Sequence, residues 1–303
     1  MSTIERFTAA DDLLHDIGTA PHVRESYFFV LPLPSEGIAA MVYAWRTGAT
    51  GQFGRLVAIG GEDIGAPQVF DIVDGVDLVG DDLDDCEIAG LHIRHPEPLR
   101  RASLSFSSDA VTLDVTVEGL HRPVSWHENP DGCPAWAATD RYEQSVRTSG
   151  TLRVDGREIA IDGIGHRDHS WGPREWGVIQ HWKWMNAATP DGSVSLHAWE
   201  SSALGARHRL GYVNRGGEIA VITDLRVESS LDDALVHRSL TATILDETGR
   251  ETVFTAAYRA GVALPFSGLL LYENAMDATI DGAPAIAHVE HGWPQPYVEQ
   301  LRR

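Results

Sequence analysis

The sequence predicts an all-β protein, and three observations carry that reading. Short apolar runs recur along the whole chain, bounded by Gly, Pro and Asp turns. The clearest of them alternates strictly, with Val111, Leu113, Val115 and Val117 on one face and Thr112, Asp114, Thr116 and Glu118 on the other. No helical segments follow the strands at regular intervals, and no Gly-x-Gly-x-x-Gly opens one, which argues against a doubly wound sheet and against nucleotide-dependent chemistry.

The elements follow in order. One short helix is expected at Ile4 to Ile17, before the period changes. Tyr27 to Leu31 and Ile38 to Trp45 read as strands separated by Pro32, Pro34 and Gly37; Phe53 to Ile59 and Val69 to Val79 continue the series. Gly61 to Gly90 holds ten acids and no Lys or Arg, which reads as a solvated acidic turn because the spacing is not that of a calcium loop. Gly150 to Ile161 reads as a hairpin turning at Asp155-Gly156. The second half repeats the style through Ser193 to Glu200, Arg207 to Asn214, Glu218 to Glu228, Ser239 to Leu245, Glu251 to Ala260 and Leu269 to Ile280, with a second helical stretch read at Ser230 to His237. Strand density is similar on both sides of the middle, so two antiparallel β domains are expected, residues 1–165 and 166–303.

Composition narrows the function. The 303 residues suffice for two ordinary cores, and the 43% hydrophobic fraction is that of a globular protein. A net charge of −20 disfavours nucleic acid and anionic lipid as partners. The N-terminal segment has no apolar signal core, no run reaches the length of a membrane span, and two isolated cysteines, Cys86 and Cys133, make no zinc site, so a reducing cytoplasm is expected.

One segment departs from plain barrel wall. Gly163-Ile-Gly-His-Arg-Asp-His-Ser-Trp-Gly-Pro-Arg-Glu-Trp176 continues through His181-Trp182-Lys183-Trp184 to His197 and Trp199. Five of the nine tryptophans and four of the fourteen histidines fall there, with Lys183 the only lysine of the chain. On a strand, His166 and Asp168 face one side while Arg167 and His169 face the other. Gly163 and Gly165 strip side chains from the approach, and Gly172-Pro173 ends the strand, as at a cavity rim. A metal set built on His166, Asp168 and His169, completed by His181 or His197, has suitable ligand types, but the alternation opposes it and no metal is expected. A structural reading competes, in which Arg167 and Asp168 are buried partners and the tryptophans are core. Neither Ser170 nor Ser195 sits in a Gly-x-Ser-x-Gly elbow.

The run Gly-x-Gly-x-Arg-Asp-His-Ser-Trp-Gly-x-Arg-x-Trp at Gly163 to Trp176 resembles a signature of the lipocalin-like carotenoid hydratase superfamily, the hydroxyneurosporene synthase type. The resemblance is specific over about fifteen residues and general elsewhere. It implies two lipocalin-like (calycin) barrel or sandwich domains packed together, an aromatic-lined apolar cavity, and cofactor-independent acid–base chemistry on a lipophilic, isoprenoid-like substrate. Asp168 occupies the position of the acid, with His169, Arg167 and His166 as its catalytic neighbours. Trp171, Trp176, His181, Trp184 and Trp199, with Tyr43 and Trp45 from the first half, are the expected substrate-binding residues. The reaction class is then hydratase, dehydratase, isomerase or cyclase. The alternative is a carrier of the same hydrophobic ligand that leaves it unchanged, and what separates the two is an acid facing the aromatic cavity. The only partner called for is the small molecule, without nucleic acid or membrane insertion, with a homodimer as the one assembly considered.

Overall fold

A computed structural model describes residues 6–301. Its first sheet contains β1 (Val23–Leu33), β2 (Ile38–Thr47), β3 (Phe53–Gly60), β4 (Val69–Val76), β5 (Asp85–Ile88), β6 (Leu91–Glu97), β7 (Arg101–Ser107), β8 (Val111–Gly119), β9 (Val124–Ser125), β10 (Asp140–Val154) and β11 (Arg157–Pro173). The strand order is β4-β3-β2-β1-β11-β10-β8-β7-β6-β5, with β9 on the side of β10. The sheet curls on itself: residues of β4 and β5, its two ends, join one apolar core, and Arg55 Nε reaches across the gap to donate to the Ala89 carbonyl at 3.1 Å. The second unit is a closed antiparallel barrel of β12 (Ile179–Ala188), β13 (Val194–Ala203), β14 (Ala206–Arg215), β15 (Glu218–Leu231), β16 (His237–Asp246), β17 (Glu251–Phe266), β18 (Leu269–Ile280) and β19 (Ala283–Pro294), followed by a helix α1 (Gln295–Leu301).

The sequence patterns explain these elements. The alternation of β8 buries Val111, Leu113, Val115 and Val117, and the β10–β11 hairpin turns at Asp155 and Gly156, which both take the positive φ that a two-residue turn demands (51° and 71°). The helix expected at Ile4 to Ile17 is not formed over the described part. Only a single 3-10 turn, Ala9–Asp12, appears, and residues 4 and 5 lie outside the described residues. Tertiary contacts override propensity there, because Asp12 is drawn into the first barrel to meet Arg167. Ser230 to His237 is likewise not helical. Asp232 accepts from the backbone N–H groups of Ala234 (2.9 Å) and Val236 (3.0 Å), and this local turn competes with a helix. Within the acidic stretch, Asp71 pairs with Arg55 and Asp74 accepts from the Trp45 indole, so part of it is built into the fold.

The division of the chain also differs from expectation. A boundary after Gly165 would fall inside β11, which pairs with β1 as far as Pro173; the change of sheet comes between Pro173 and Ile179. This matters because the sheet from β3 through β1 to β11 has two buried faces. Tyr27, Phe29, Leu31, Ile159 and Ile161 fill the first barrel, whereas Phe28, Val30, Met41 and Leu56 on the opposite face pack against Trp182, Trp184, Trp199 and Val262 of the second. In β12 and β13 the split is the same: Met185, Ala187, Leu196 and Ala198 fill the second barrel, and the tryptophans look out of it.

Two glycines permit close backbone approach. The Gly261 N–H donates to the Gly61 carbonyl at 2.8 Å, joining the two units directly, and a Cβ at Gly60 would collide with the Gly261 carbonyl. Gly165 does the same within the first sheet, since a Cβ there would strike the Val30 carbonyl and Thr148. Gly165→Ala is therefore expected to cost about 1–3 kcal/mol in urea unfolding, whereas Gly163→Ala, with only ordinary contact to Thr148, should cost less. Equal effects at the two positions would contradict this account.

Candidate functional site

The outer face of the first barrel and the outer wall of the second enclose a cavity of about 70 Å³, partly open to solvent. Phe28 and Tyr43 enter from β1 and β2, Trp126 and Trp136 from the segment before β10, Trp182, Trp184 and Trp199 from β12 and β13, and Phe266 from β17. The rings interlock: Trp126 lies 4.6 Å from Trp199, Trp176 lies 5.4 Å from Trp182, and Phe28 lies 5.6 Å from Trp184.

Into this apolar lining project three carboxyl groups, Asp168, Glu273 and Glu290. Alternation on β11 brings His166, Asp168 and Ser170 to the cavity side. Asp168 accepts from Arg141 Nη2 at 2.9 Å, and Arg141 Nε donates to Glu143 at 2.7 Å. Glu143 stands directly opposite Asp168 in the β10–β11 register. Burial pushes the Asp168 carboxyl up to about 8; Arg141 opposes the rise, and Glu143 and Glu290 add to it. Glu273 and Glu290 are direct cross-strand partners on β18 and β19, so that each carboxyl bears on the ionisation of the other. Burial pushes Glu273 up to about 8, with Asp168 adding to the rise, and Glu290 is raised well above the usual range by burial and then by Glu273. His288 Nε2, at 2.8 Å, backs Glu273. One guanidinium, itself shared with Glu143, serves the acids, so the set holds protons in common near neutrality.

The residues singled out in the sequence separate into distinct places. Asp168, Trp176, Trp184, Trp199 and Tyr43 line the cavity. Trp45 lies behind it, 5.0 Å from the Tyr43 ring, with its indole N–H on Asp74 at 3.0 Å. His166 is on the cavity side of β11 but sits in an adjoining buried cluster, its Nε2 2.9 Å from Glu143 and its ring 5.5 Å from that of His197. Arg167 and His169 point into the first barrel. Arg167 meets Asp12 at 3.2 Å and Gln144 at 2.7 Å, and His169 meets Glu25 at 3.2 Å. The guanidinium beside Asp168 is thus Arg141, and a buried Arg167–Asp168 pair does not form. Trp171 stacks on His15 at 3.7 Å away from the cavity. His181 lies on the inner side of β12, between the Gly292 carbonyl and Lys183 Nζ, stacked on Trp293.

Opposite orientation also keeps His166 and His169 from sharing one ligand set. Two other groups bring ligand-type atoms together, His15 with Glu25 and His169, and Glu143 with His166 and His197. In the second, the Glu143 oxygens accept from Arg141, Trp126, Trp184 and His166. Arg141, Glu143, Glu273 and Glu290 escaped the sequence reading. Their trace is an acid or guanidinium inside an otherwise apolar strand, as in Leu269-Leu-Leu-Tyr-Glu-Asn-Ala-Met276.

Two units of antiparallel strands, one a closed barrel, with a buried acid-bearing cavity between them, define a tandem β-barrel protein. The chain belongs to the family described as a domain of unknown function, DUF7064, whose model matches residues 8–295. The same fold occurs in an AttH candidate from Nitrosomonas europaea, at 16% identity and a TM-score of 0.62, covering 92% of this chain and 95% of that one. Kievitone hydratase from Nectria haematococca matches at 12% identity and a TM-score of 0.61, covering 94% of each chain. CghA, solved also with Sch210972, matches at 14% identity and a TM-score of 0.59, covering 90% and 88%. A search of curated proteins by sequence gave no match. No helix among the described residues is long and apolar enough to cross a membrane.

Proposed function

We propose that this protein is a cofactor-independent lyase or isomerase, of hydratase, dehydratase or cyclase type, acting on an apolar small molecule in the interdomain cavity. One observation carries the reading: carboxyl groups that burial keeps protonated open into the same space as the tryptophans. A carrier needs the aromatic walls alone; buried acids that no guanidinium or ammonium pairs among the described residues, such as Glu273 and Glu290, are a cost that chemistry would explain. A hydratase and CghA on the same fold agree with this reading.

In the mechanism, Asp168 gives its proton to a substrate alkene or leaving oxygen. Arg141 lies 2.9 Å away and stabilises the carboxylate that results, so the acid is regenerated when the proton returns. Electron-rich faces among the tryptophans lining the cavity stabilise positive charge developing on the substrate by up to about 2 kcal/mol in a dry site. Water addition, or loss of a neighbouring proton to the carboxylate set, completes the reaction. An isoprenoid-like substrate fits the aromatic lining.

The test is a panel of isoprenoid and polyketide alkenes incubated in oxygen-18 water, with products read by mass spectrometry. Conversion by the wild type and an at least hundredfold slower Asp168→Asn variant are expected. Asp168→Asn keeps the shape of the side chain, so a neutral naphthylamine probe should still bind it. Binding without conversion of any panel member would favour the carrier, and undiminished turnover in the variant would remove Asp168 from the reaction.

A further inference from the structure

Arg174 differs from the other guanidinium of the cavity. Arg141 is paired with two carboxylates, whereas Arg174 forms no ion pair among the described residues. Its Nη2 donates to Ser170 Oγ at 2.6 Å and its guanidinium lies 5.3 Å from the Trp176 ring centre, but its Nε is sealed from solvent and has no hydrogen-bond partner. Burial, and then Arg141, pull it down to about 10, where it still carries its charge at neutral pH. A buried charge with an orphaned donor beside an apolar cavity is costly unless something supplies the counter-charge. Asp168 is the cavity acid whose charge bears on Arg174, but it is engaged by Arg141 at 2.9 Å, and no carboxylate lies within ion-pair distance of Arg174 among the described residues. At the same side of the cavity, Arg24 also lacks an ion pair among the described residues; it lies 5.2 Å from the ring centres of both Trp45 and Phe266, and its Nη1 reaches the Tyr43 hydroxyl at 3.4 Å. In a chain of net charge −20, Arg174 at the cavity and Arg24 against its Tyr43 and Phe266 wall form a local positive field.

We propose that the substrate is an organic anion: an apolar ring or chain system bearing one ionised oxygen group, a carboxylate or an acidic enol or phenol, which pairs with Arg174. This rests on the cavity being a ligand site. Anchoring one charged end at Arg174 sets the apolar body against the tryptophans and orients it toward Asp168, two positions before Ser170 on the same face of β11. Arg174 is then a positioning and specificity residue, and the carboxyl groups remain the acids.

Two probes differing in one charge test this: 8-anilinonaphthalene-1-sulfonate and the neutral N-phenyl-1-naphthylamine, titrated into the whole protein and read by energy transfer from the cavity tryptophans. The anionic probe should bind wild type about tenfold to a hundredfold more tightly than it binds Arg174→Met, the difference a charge-assisted hydrogen bond makes. The neutral probe should bind both within about twofold, and Arg174→Lys should retain most of the preference for the anion. Equal affinity of the anionic probe for wild type and Arg174→Met overturns the inference and leaves the cavity reading standing. So does a loss of both probes in Arg174→Met, which would make the residue a packing element. Failure of both probes to bind wild type overturns the inference and the ligand-site reading together.

Discussion

Acidification from pH 7 to pH 5 is expected to unfold this protein. Nine histidines (His95, His121, His166, His169, His181, His197, His237, His288 and His291) are held below their ordinary value, in every case first by burial. A group with a depressed cationic pKa binds its proton more readily when unfolded, so its contribution is complete above the unfolded value near 6.5 and is lost as pH falls below it. A fully protected histidine loses about 1.4 kcal/mol per pH unit, so four acting fully remove about 5 kcal/mol per unit, the lower end of a whole domain's stability. The raised carboxyls act in the opposite sense. Asp168, Glu273 and Glu290 stabilise the fold below their unfolded pKa and lose that contribution as pH rises through about 8 for Asp168 and Glu273, which softens the acid slope without cancelling it. Glu25, held down to about 2 by His15 and His169 against the effect of burial, adds a further loss below its ordinary value. Melting temperature measured from pH 8 to pH 4 should peak near neutrality and drop steeply below about 6.5. A flat profile between pH 7 and pH 5 would show that these histidines are not protected.

Asp12→Ala should destabilise the protein by about 3–5 kcal/mol, although Asp12 is far from the cavity. Its carboxylate meets Arg167 Nη1 at 3.2 Å, the Tyr142 hydroxyl, and the Leu99 N–H at 2.5 Å, with His95 Nε2 at 3.9 Å. Burial would raise this carboxyl, but Arg167, His95 and Tyr142 hold it well below the usual range. Removing it leaves the Arg167 guanidinium alone inside the first barrel. The double variant Asp12→Ala, Arg167→Met should recover part of the loss, because the uncompensated charge goes with it. Urea unfolding of the two variants decides the matter, and a double variant less stable than the single by the full cost of a second deletion would rule out a specific pair.

These two expectations bear on how the central motif is read. Arg167-Asp168-His169 looks like one catalytic unit in the sequence, yet adjacent strand residues look into different cores. Asp168 opens into the cavity, while Arg167 and His169 hold the N-terminal segment to the first barrel through Asp12, Glu25 and His15. Half of the motif can therefore act on a ligand directly and the other half maintains the wall on which that ligand rests.

The strand-rich architecture was legible because its physics is local. Alternation in β8, the Asp155-Gly156 turn and the Gly and Pro punctuation each act within a few residues, and of the tryptophans clustered at residues 171–199 all but Trp171 line the cavity. Which side chains share that cavity depended on strand pairing across long separations. Register alone sets Glu273 against Glu290 and Glu143 against Asp168, and only packing of the second barrel on the first brings Asp168 to one space with Glu273 and Glu290. The N-terminal helix failed for the same reason, since Asp12 finds its partner 155 residues away. The sequence by itself determined a two-unit β protein with Asp168 on the opposite face from Arg167 and His169, because side-chain alternation is a property of each strand. The tertiary structure alone decided that Arg141 pairs with that acid, that Glu273 and Glu290 join it, and that Arg174 is left without a counter-charge. Burial and ion pairing are properties of the assembled interface and have no local signature.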